Sequence, residues 1–186
     1  MWIGEDEGQT ALIVDGVVQS VYVGDGPLGP GYWPLMLPDT RPRSALILGL
    51  GGGTIPHLIT QKFGPLRIVG VDCNPRVLHL ARRAFGVERC TSEIVEADAF
   101  DYVSSAQGPY DYVAVDLFID GAIPGRVFGQ PFLKDVKRLL SPGGLAAVNF
   151  FKDRRTPSHA ERLGHVFPRV SLVESRKNVI ARCRPR

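Results

Sequence analysis

Four short, unbroken apolar runs constrain the fold of this 186-residue chain more than any other feature. They are Ala45-Leu46-Ile47-Leu48, Ile68-Val69-Gly70-Val71, Tyr112-Val113-Ala114-Val115 and Leu145-Ala146-Ala147-Val148-Asn149-Phe150-Phe151. A strand with one wet face alternates apolar and polar residues, whereas a run without alternation suits a strand covered on both faces, as in a parallel sheet. A half-buried strand is expected over residues 92–97. Helical patterns separate the runs: Val77, Leu78, Ala81 and Ala84-Phe85 follow Asn74-Pro75, and Phe132, Val136, Leu139 and Leu140 end at Ser141-Pro142-Gly143-Gly144. The alternation predicts an open α/β sheet with right-handed crossovers and ligand sites at the carboxyl ends of its strands.

The flanks read differently. Residues 169–174 and 178–182 form a closing strand pair, which predicts an antiparallel far edge. At the other end, Ala11 to Val14 and Val17 to Val23 are β-branched runs parted by Asp15-Gly16, a dipeptide suited to a tight hairpin. Glycines and prolines between residues 24 and 43 break any regular element except a short helical turn around Trp33 to Leu37. Residues 1–43 are therefore expected to form a hairpin and connector, and residues 44–186 the sheet domain.

With 44% hydrophobic and 22% charged residues, the chain reads as an ordinary globule. No apolar run approaches the ~20 residues of a bilayer span, and Glu5, Asp6 and Glu7 stand where a signal peptide has a basic start. A cytoplasmic protein without membrane contact is expected. The cysteines Cys73, Cys90 and Cys183 have no C-x-x-C spacing, and His57, His79, His159 and His165 lack the helical metal-site pattern, so neither a disulfide framework nor a metal is expected. His57 and His79 fall in predicted helices and read as partly buried imidazoles. The net charge of +3 is uneven: residues 152–186 carry ten Lys or Arg against three acids. With Phe167 as that segment's one aromatic for stacking on bases, a solvated face is expected rather than a nucleic-acid site.

The strand ends carry the chemistry. The first run leads into Gly49-Leu50-Gly51-Gly52-Gly53-Thr54, where missing Cβ atoms let a ligand lie against the backbone and a helix start. A tight crossover without a ligand is the lesser reading of these residues, and a dinucleotide fingerprint would need a further glycine where Thr54 stands. Asp72 ends the second strand, ~20 residues past the glycines, where an acid can accept both hydroxyls of a ribose. Asp98, in Ala97-Asp98-Ala99, can accept an adenine amino hydrogen. Either acid could instead cap a helix. Asp116 ends the fourth strand beside Leu117-Phe118-Ile119-Asp120-Gly121 and is the catalytic candidate, with a structural role in loop bonding as the alternative. Trp33 and Phe118 read equally as core or pocket wall.

The series from Leu12 to Ser20, Gly31-Tyr32-Trp33, the Gly49 to Gly53 loop, Val71-Asp72-Cys73-Asn74-Pro75, Ala97-Asp98-Ala99, Tyr110 to Asp116 and Leu140-Ser141-Pro142-Gly143-Gly144 resembles the spermidine synthase family. That family lies within the S-adenosylmethionine-dependent methyltransferase superfamily and serves polyamine biosynthesis. The resemblance implies a Rossmann-like methyltransferase sheet preceded by a β-hairpin. It implies S-adenosylmethionine or its decarboxylated form as cofactor, held by Gly49, Gly51 and Gly53, with Asp72 and Asn74 at the ribose and Asp98 and Ala99 at the adenine. It implies that Gln19 reaches the nucleoside from the hairpin. Tyr32 and Asp120 would line the acceptor pocket, Asp116 would help deprotonate the acceptor, and the hairpin would serve a homodimer.

The sequence also departs from that family. Its synthases carry an aspartate in the glycine loop, as G-G-G-D-G, that holds the amine of decarboxylated S-adenosylmethionine; Gly52 stands there. Their D-S-S/T-D-P gate is Asp116-Leu117-Phe118-Ile119-Asp120-Gly121 here, with apolar side chains for hydroxyls. The few residues after the closing strands leave little room for the family's C-terminal acceptor-binding part. Such a pocket suits a dication such as putrescine less, because each buried ammonium needs acceptors to offset its desolvation. Methyl transfer to a small-molecule acceptor, an amine among the candidates, is therefore expected ahead of aminopropyl transfer, with a non-catalytic nucleotide-binding module as a third reading. A carboxylate with an ordinary pKa of ~4 would make Asp116 a weak base, acting chiefly by orientation and charge stabilisation.

Overall fold

The computed structural model describes residues 1–24, 31–119 and 121–186. Strands β1 (Trp2–Asp6), β2 (Gln9–Val14) and β3 (Val17–Val21) form an antiparallel sheet in the order β1-β2-β3. Between β2 and β3, Asp15 at φ 51° and Gly16 at φ 78° make the left-handed pair that a two-residue hairpin requires. The expected hairpin is thus two strands of a three-stranded sheet. β1 escapes a sequence reading because its residues do not alternate cleanly; Ile3 is its apolar residue that packs with Leu12, Val77 and Phe85.

After α1 (Trp33–Met36), the main domain alternates β4 (Ser44–Leu48), α2 (Thr54–Phe63), β5 (Arg67–Asp72), α3 (Pro75–Phe85), β6 (Glu93–Glu96), α4 (Ala99–Ser105) and β7 (Tyr110–Val115). It continues through α5 (Gln130–Leu139), β8 (Leu140–Phe151), α6 (Thr156–Gly164), β9 (Arg169–Glu174) and β10 (Asn178–Arg184). The seven strands lie in the order β6-β5-β4-β7-β8-β10-β9. β6, β5, β4, β7 and β8 run parallel to one another, and β10 runs antiparallel to both β8 and β9. The antiparallel element is therefore the penultimate strand, inserted by the tight return from β9.

Helices cover both faces, which explains the unbroken apolar runs. Leu46, Leu48, Val113 and Val115 face a core with Phe132 and Val136 of α5, while Ala45, Ile47, Tyr112 and Ala114 face Trp33 and Met36 of α1 and Leu58 and Ile59 of α2. Alternate residues of one strand thus serve two cores. One expected boundary differs. Ser141-Pro142-Gly143-Gly144 does not follow a helix as a loop; β8 starts at Leu140, and the register jumps from Tyr110↔Leu140 to Tyr112↔Leu145. The four residues bulge out of the ladder, which accommodates a proline without an amide hydrogen. Among the described residues, no helix is long and apolar enough to cross a membrane.

Candidate active site

The chain leaves β4 toward β5 on one side and later returns to its other side as β7, so the connections diverge at the carboxyl end of β4. A crevice is expected at such a switch point. A cleft of about 750 Å³ opens there, within the ~300–1,000 Å³ range of small-molecule sites. Gly49, Gly51, Asp72, Asn74, Asp98 and Ala99 border it from β4, β5 and β6; Gln19 borders it from β3; Tyr32 and Asp116 border it near β7. Gly53 does not. Its left-handed backbone, φ 90°, caps α2, and a Cβ there would lie 2.4 Å from Val87, so this glycine is required by packing and not by ligand approach. Asp120 lies outside the described residues.

On the β5–β6 side the acids are partly committed to the protein. Asp72 Oδ2 accepts from the Gly51 amide at 2.9 Å and Oδ1 from the Asn74 amide at 3.0 Å. Burial raises its pKa and these two amides oppose the rise. A carboxylate has about four lone-pair sites, so each oxygen keeps the capacity for one further hydrogen bond. Asn74, not Asp72, caps α3, its side-chain oxygen accepting from Arg76 and Val77. Asp98 caps α4 through Oδ1, which accepts from Phe100 at 2.8 Å and Asp101 at 3.2 Å. Asp98 thus caps the helix, and the residue also borders the cleft.

Gln19 is aimed by a bulge. Leu12 pairs with Ser20 and Ile13 with Val18, which leaves Gln19 unopposed on β3. Its neighbour Ser20 straps the hairpin to the glycine loop: Ser20 Oγ accepts from the Gly52 amide at 2.7 Å and donates to the Gln19 carbonyl at 2.7 Å. Thr54 Oγ1 in turn donates to the Val21 carbonyl and accepts from its amide, both at 2.9 Å. The sequence reading missed the strapping roles of Ser20 and Thr54, because each depends on a contact with a residue more than 30 positions away.

On the β7–β8–β10 side, Asp116 is the centre of a buried polar chain. Tyr32 Oη donates to its carboxylate, 3.0 Å from each oxygen, and Asn149 Nδ2 donates to Oδ1 at 2.7 Å. Asn178 Nδ2 donates to Asn149 Oδ1 at 2.9 Å, which fixes the Asn149 amide so that its nitrogen faces Asp116. Antiparallel pairing of β10 with β8 brings the two asparagines together. Burial pushes the Asp116 pKa up to about 6, against the lowering effect of these donors. That corrects the expected ordinary carboxylate: Asp116 is a better base than its position alone suggested. Burial beside the acid also holds the Tyr32 phenol well above its ordinary value, so it remains a donor. Removing that donor in Tyr32→Phe takes stabilisation from the ionised carboxylate, and the Asp116 titration midpoint is expected to rise by about one pH unit. A carboxyl-carbon NMR titration of Asp116 in both proteins checks this, with an unmoved midpoint as the contrary result.

A parallel-centred sheet in this order, with a switch-point cleft lined by strand-end acids, defines a methyltransferase-type α/β domain. A family model described as a methyltransferase domain matches residues 45–144, so the chain belongs to that family, and within it the protein is spermidine synthase-like. The polyamine aminopropyltransferase of Chromobacterium violaceum is 39% identical over 135 residues, covering 71% of this chain and 52% of that protein. The chain spans about half the length of such curated relatives. The eEF1A lysine and N-terminal methyltransferase of Mus musculus is 32% identical over 127 residues, covering 62% of this chain and 18% of that protein. Among solved structures, human methyltransferase-like protein 13 in complex with SAH matches at TM-score 0.70 and 27% identity, over 78% of this chain and 72% of that one. A probable spermidine synthase from Corynebacterium glutamicum shares the fold at TM-score 0.83 and 20% identity, covering 99% of this chain and 76% of that one.

Proposed function

We propose that the protein is an S-adenosylmethionine-dependent transferase that moves a methyl group to a small-molecule acceptor. The residues present fit an adenosyl sulfonium: Gly49 and Gly51 leave backbone exposed to a cleft of adequate volume, and Asp72 and Asp98 offer open acceptor sites on adjacent strand ends. In this reading Asp72 holds the ribose with Asn74 beside it, Asp98 and Ala99 hold the adenine, and Gln19 approaches from the hairpin. When bound, the cofactor supplies an electrophilic carbon beside a positively charged sulfur. Asp116 then orients the nucleophile and receives its proton at a carboxylate oxygen, while Tyr32 and Asn149 keep that carboxylate from rotating away. Alignment of nucleophile and breaking bond is the larger contribution, since a well-placed pair gains far more than one proton transfer.

The observation that carries methyl over aminopropyl transfer is the space around Gly52. A Cβ there would stand 2.9 Å from Ser20 Cβ and 3.2 Å from the Phe85 ring. The loop aspartate that resemblance to spermidine synthases leads one to expect is thus replaced by a residue wedged beneath the strapped hairpin. Gly52→Asp is expected to destabilise the protein by about 1–3 kcal/mol, without raising use of decarboxylated S-adenosylmethionine. Denaturant unfolding and a radiolabel assay check the two parts.

Aminopropyl transfer remains the second reading, favoured by the name and 39% identity of the Chromobacterium relative. Incubating the protein with each labelled cofactor and a set of amines, putrescine included, separates the two. The expected result is label in methylated product; robust spermidine formation from putrescine would reverse the assignment.

A further inference from the structure

The acceptor half of the cleft differs in charge and polarity from the cofactor half. Asp6 and Asp15 border the cleft from the N-terminal sheet, while by strand order Asp72 and Asp98 lie on one side of β4 and Asp116 on the other. The rest of that side is largely apolar: Trp33, Phe118, Ile119, Ile123 and Phe151 all line it. Phe118 and Phe151 meet edge to face at 5.8 Å, and Ile119 and Phe151 each keep 40% exposure, so an apolar surface continues to the mouth.

One cation borders the whole cleft among the described residues, and it is Lys177. Lys177 stands in the turn between β9 and β10, directly before Asn178 of the Asp116 chain. The nearby acid that could neutralise the turn, Glu174, is already ion-paired with Lys152. Arg176 precedes Lys177 in the same exposed turn, so the turn itself carries surplus positive charge. A dicationic acceptor reaching that turn would place its outer ammonium against that charge and its methylenes beside these apolar side chains.

We infer that the acceptor is an apolar or aromatic molecule bearing an anionic group: its body lies against Phe118 and Phe151, its nucleophile faces Asp116, and its carboxylate, sulfate or phosphate meets Lys177. This deepens the proposed transferase reading and rests on it. The pattern makes Lys177 a specificity-determining residue, attracting acids and repelling amines at the rim.

The test uses three matched probes, 2-naphthylacetate, 2-naphthylacetamide and 2-(2-naphthyl)ethylamine, titrated calorimetrically into protein saturated with adenosylhomocysteine. The acid is expected to bind about fivefold tighter than the amide and the amine to bind weakest, as one exposed charge contact allows. Lys177→Gln should erase the acid's advantage and Lys177→Glu should invert the order, while the amide's affinity stays within about twofold. Equal or tighter binding of the amine to the wild type, or an acid preference that survives Lys177→Glu, would overturn the inference. Adenosylhomocysteine binding is measured first: its absence would refute the transferase reading itself, whereas its presence with an amine preference would refute the acceptor class alone.

Discussion

Asp116→Asn is expected to lower turnover by about 10²–10⁴-fold while making the protein more stable at pH 8. In the proposed reading, the activity loss follows from removing the carboxylate that takes the acceptor's proton. The stability gain follows from linkage. Asp116 has a folded pKa of about 6 against an ordinary 3.8, so the folded state holds this proton more tightly than the unfolded state. The favourable contribution of the protonated acid is fully present below pH 3.8 and is lost as pH rises through about 6. Above that, a buried ionised carboxylate costs about 3 kcal/mol, of which an amide at the same site recovers roughly 1–3 kcal/mol. The variant's advantage in denaturant midpoint should therefore be present at pH 8 and absent at pH 4. A variant that unfolds more readily than the wild type at pH 8, or that keeps its turnover, would contradict this role. The same acid predicts that wild-type kcat/KM rises with pH through a midpoint near 6, as the base ionises.

Gly49→Ala is expected to cost about 3–5 kcal/mol. Gly49 leaves β4 at φ 87°, and a Cβ there would stand 2.2 Å from the Asp116 carbonyl oxygen. Its amide donates to the Val71 carbonyl at 2.9 Å, so β4, β5 and β7 converge on this residue and cannot move apart to relieve the clash. Gly64→Ala is the control: its backbone also has a positive φ, 78° with ψ 178°, but open space surrounds it, and only the conformational cost of about 1–3 kcal/mol should appear. Denaturant titration of both variants is the measurement. Equal losses would mean that the backbone approach between Gly49 and Asp116 is not what requires glycine.

The central strands were readable because burial on both faces removes polar residues from them, a pattern that few other elements share. For the same reason their terminal acids stood out: Asp72 and Asp116 each follow an apolar run, Asp98 follows a half-buried strand, and all three border the cleft. The neighbours that tune them were not readable. Asn149 sits inside an apolar strand, and a buried asparagine is itself a signal of a polar partner; but identifying Asn178 as that partner requires the register of β10 on β8, which periodicity does not give. The rise in the Asp116 pKa depends on the same packing. Ser20 was missed because its importance comes from a contact with Gly52, which is 32 residues distant along the chain. For Gly53 the sequence supplied the residue but not the reason, since a glycine needed for packing looks the same as one needed for a ligand. Helix α6 carried too weak an apolar stripe to announce itself, with Leu163 its one buried residue.

A co-crystal structure with adenosylhomocysteine tests the placement of the whole site. The expected density has the ribose hydroxyls on Asp72, the adenine beside Asp98 and the sulfur turned toward Asp116, with Tyr32 and Asn149 still donating to that carboxylate. A ligand bound elsewhere, or an empty cleft at saturating concentration with Asp72 engaged solely by Gly51 and Asn74, would contradict it.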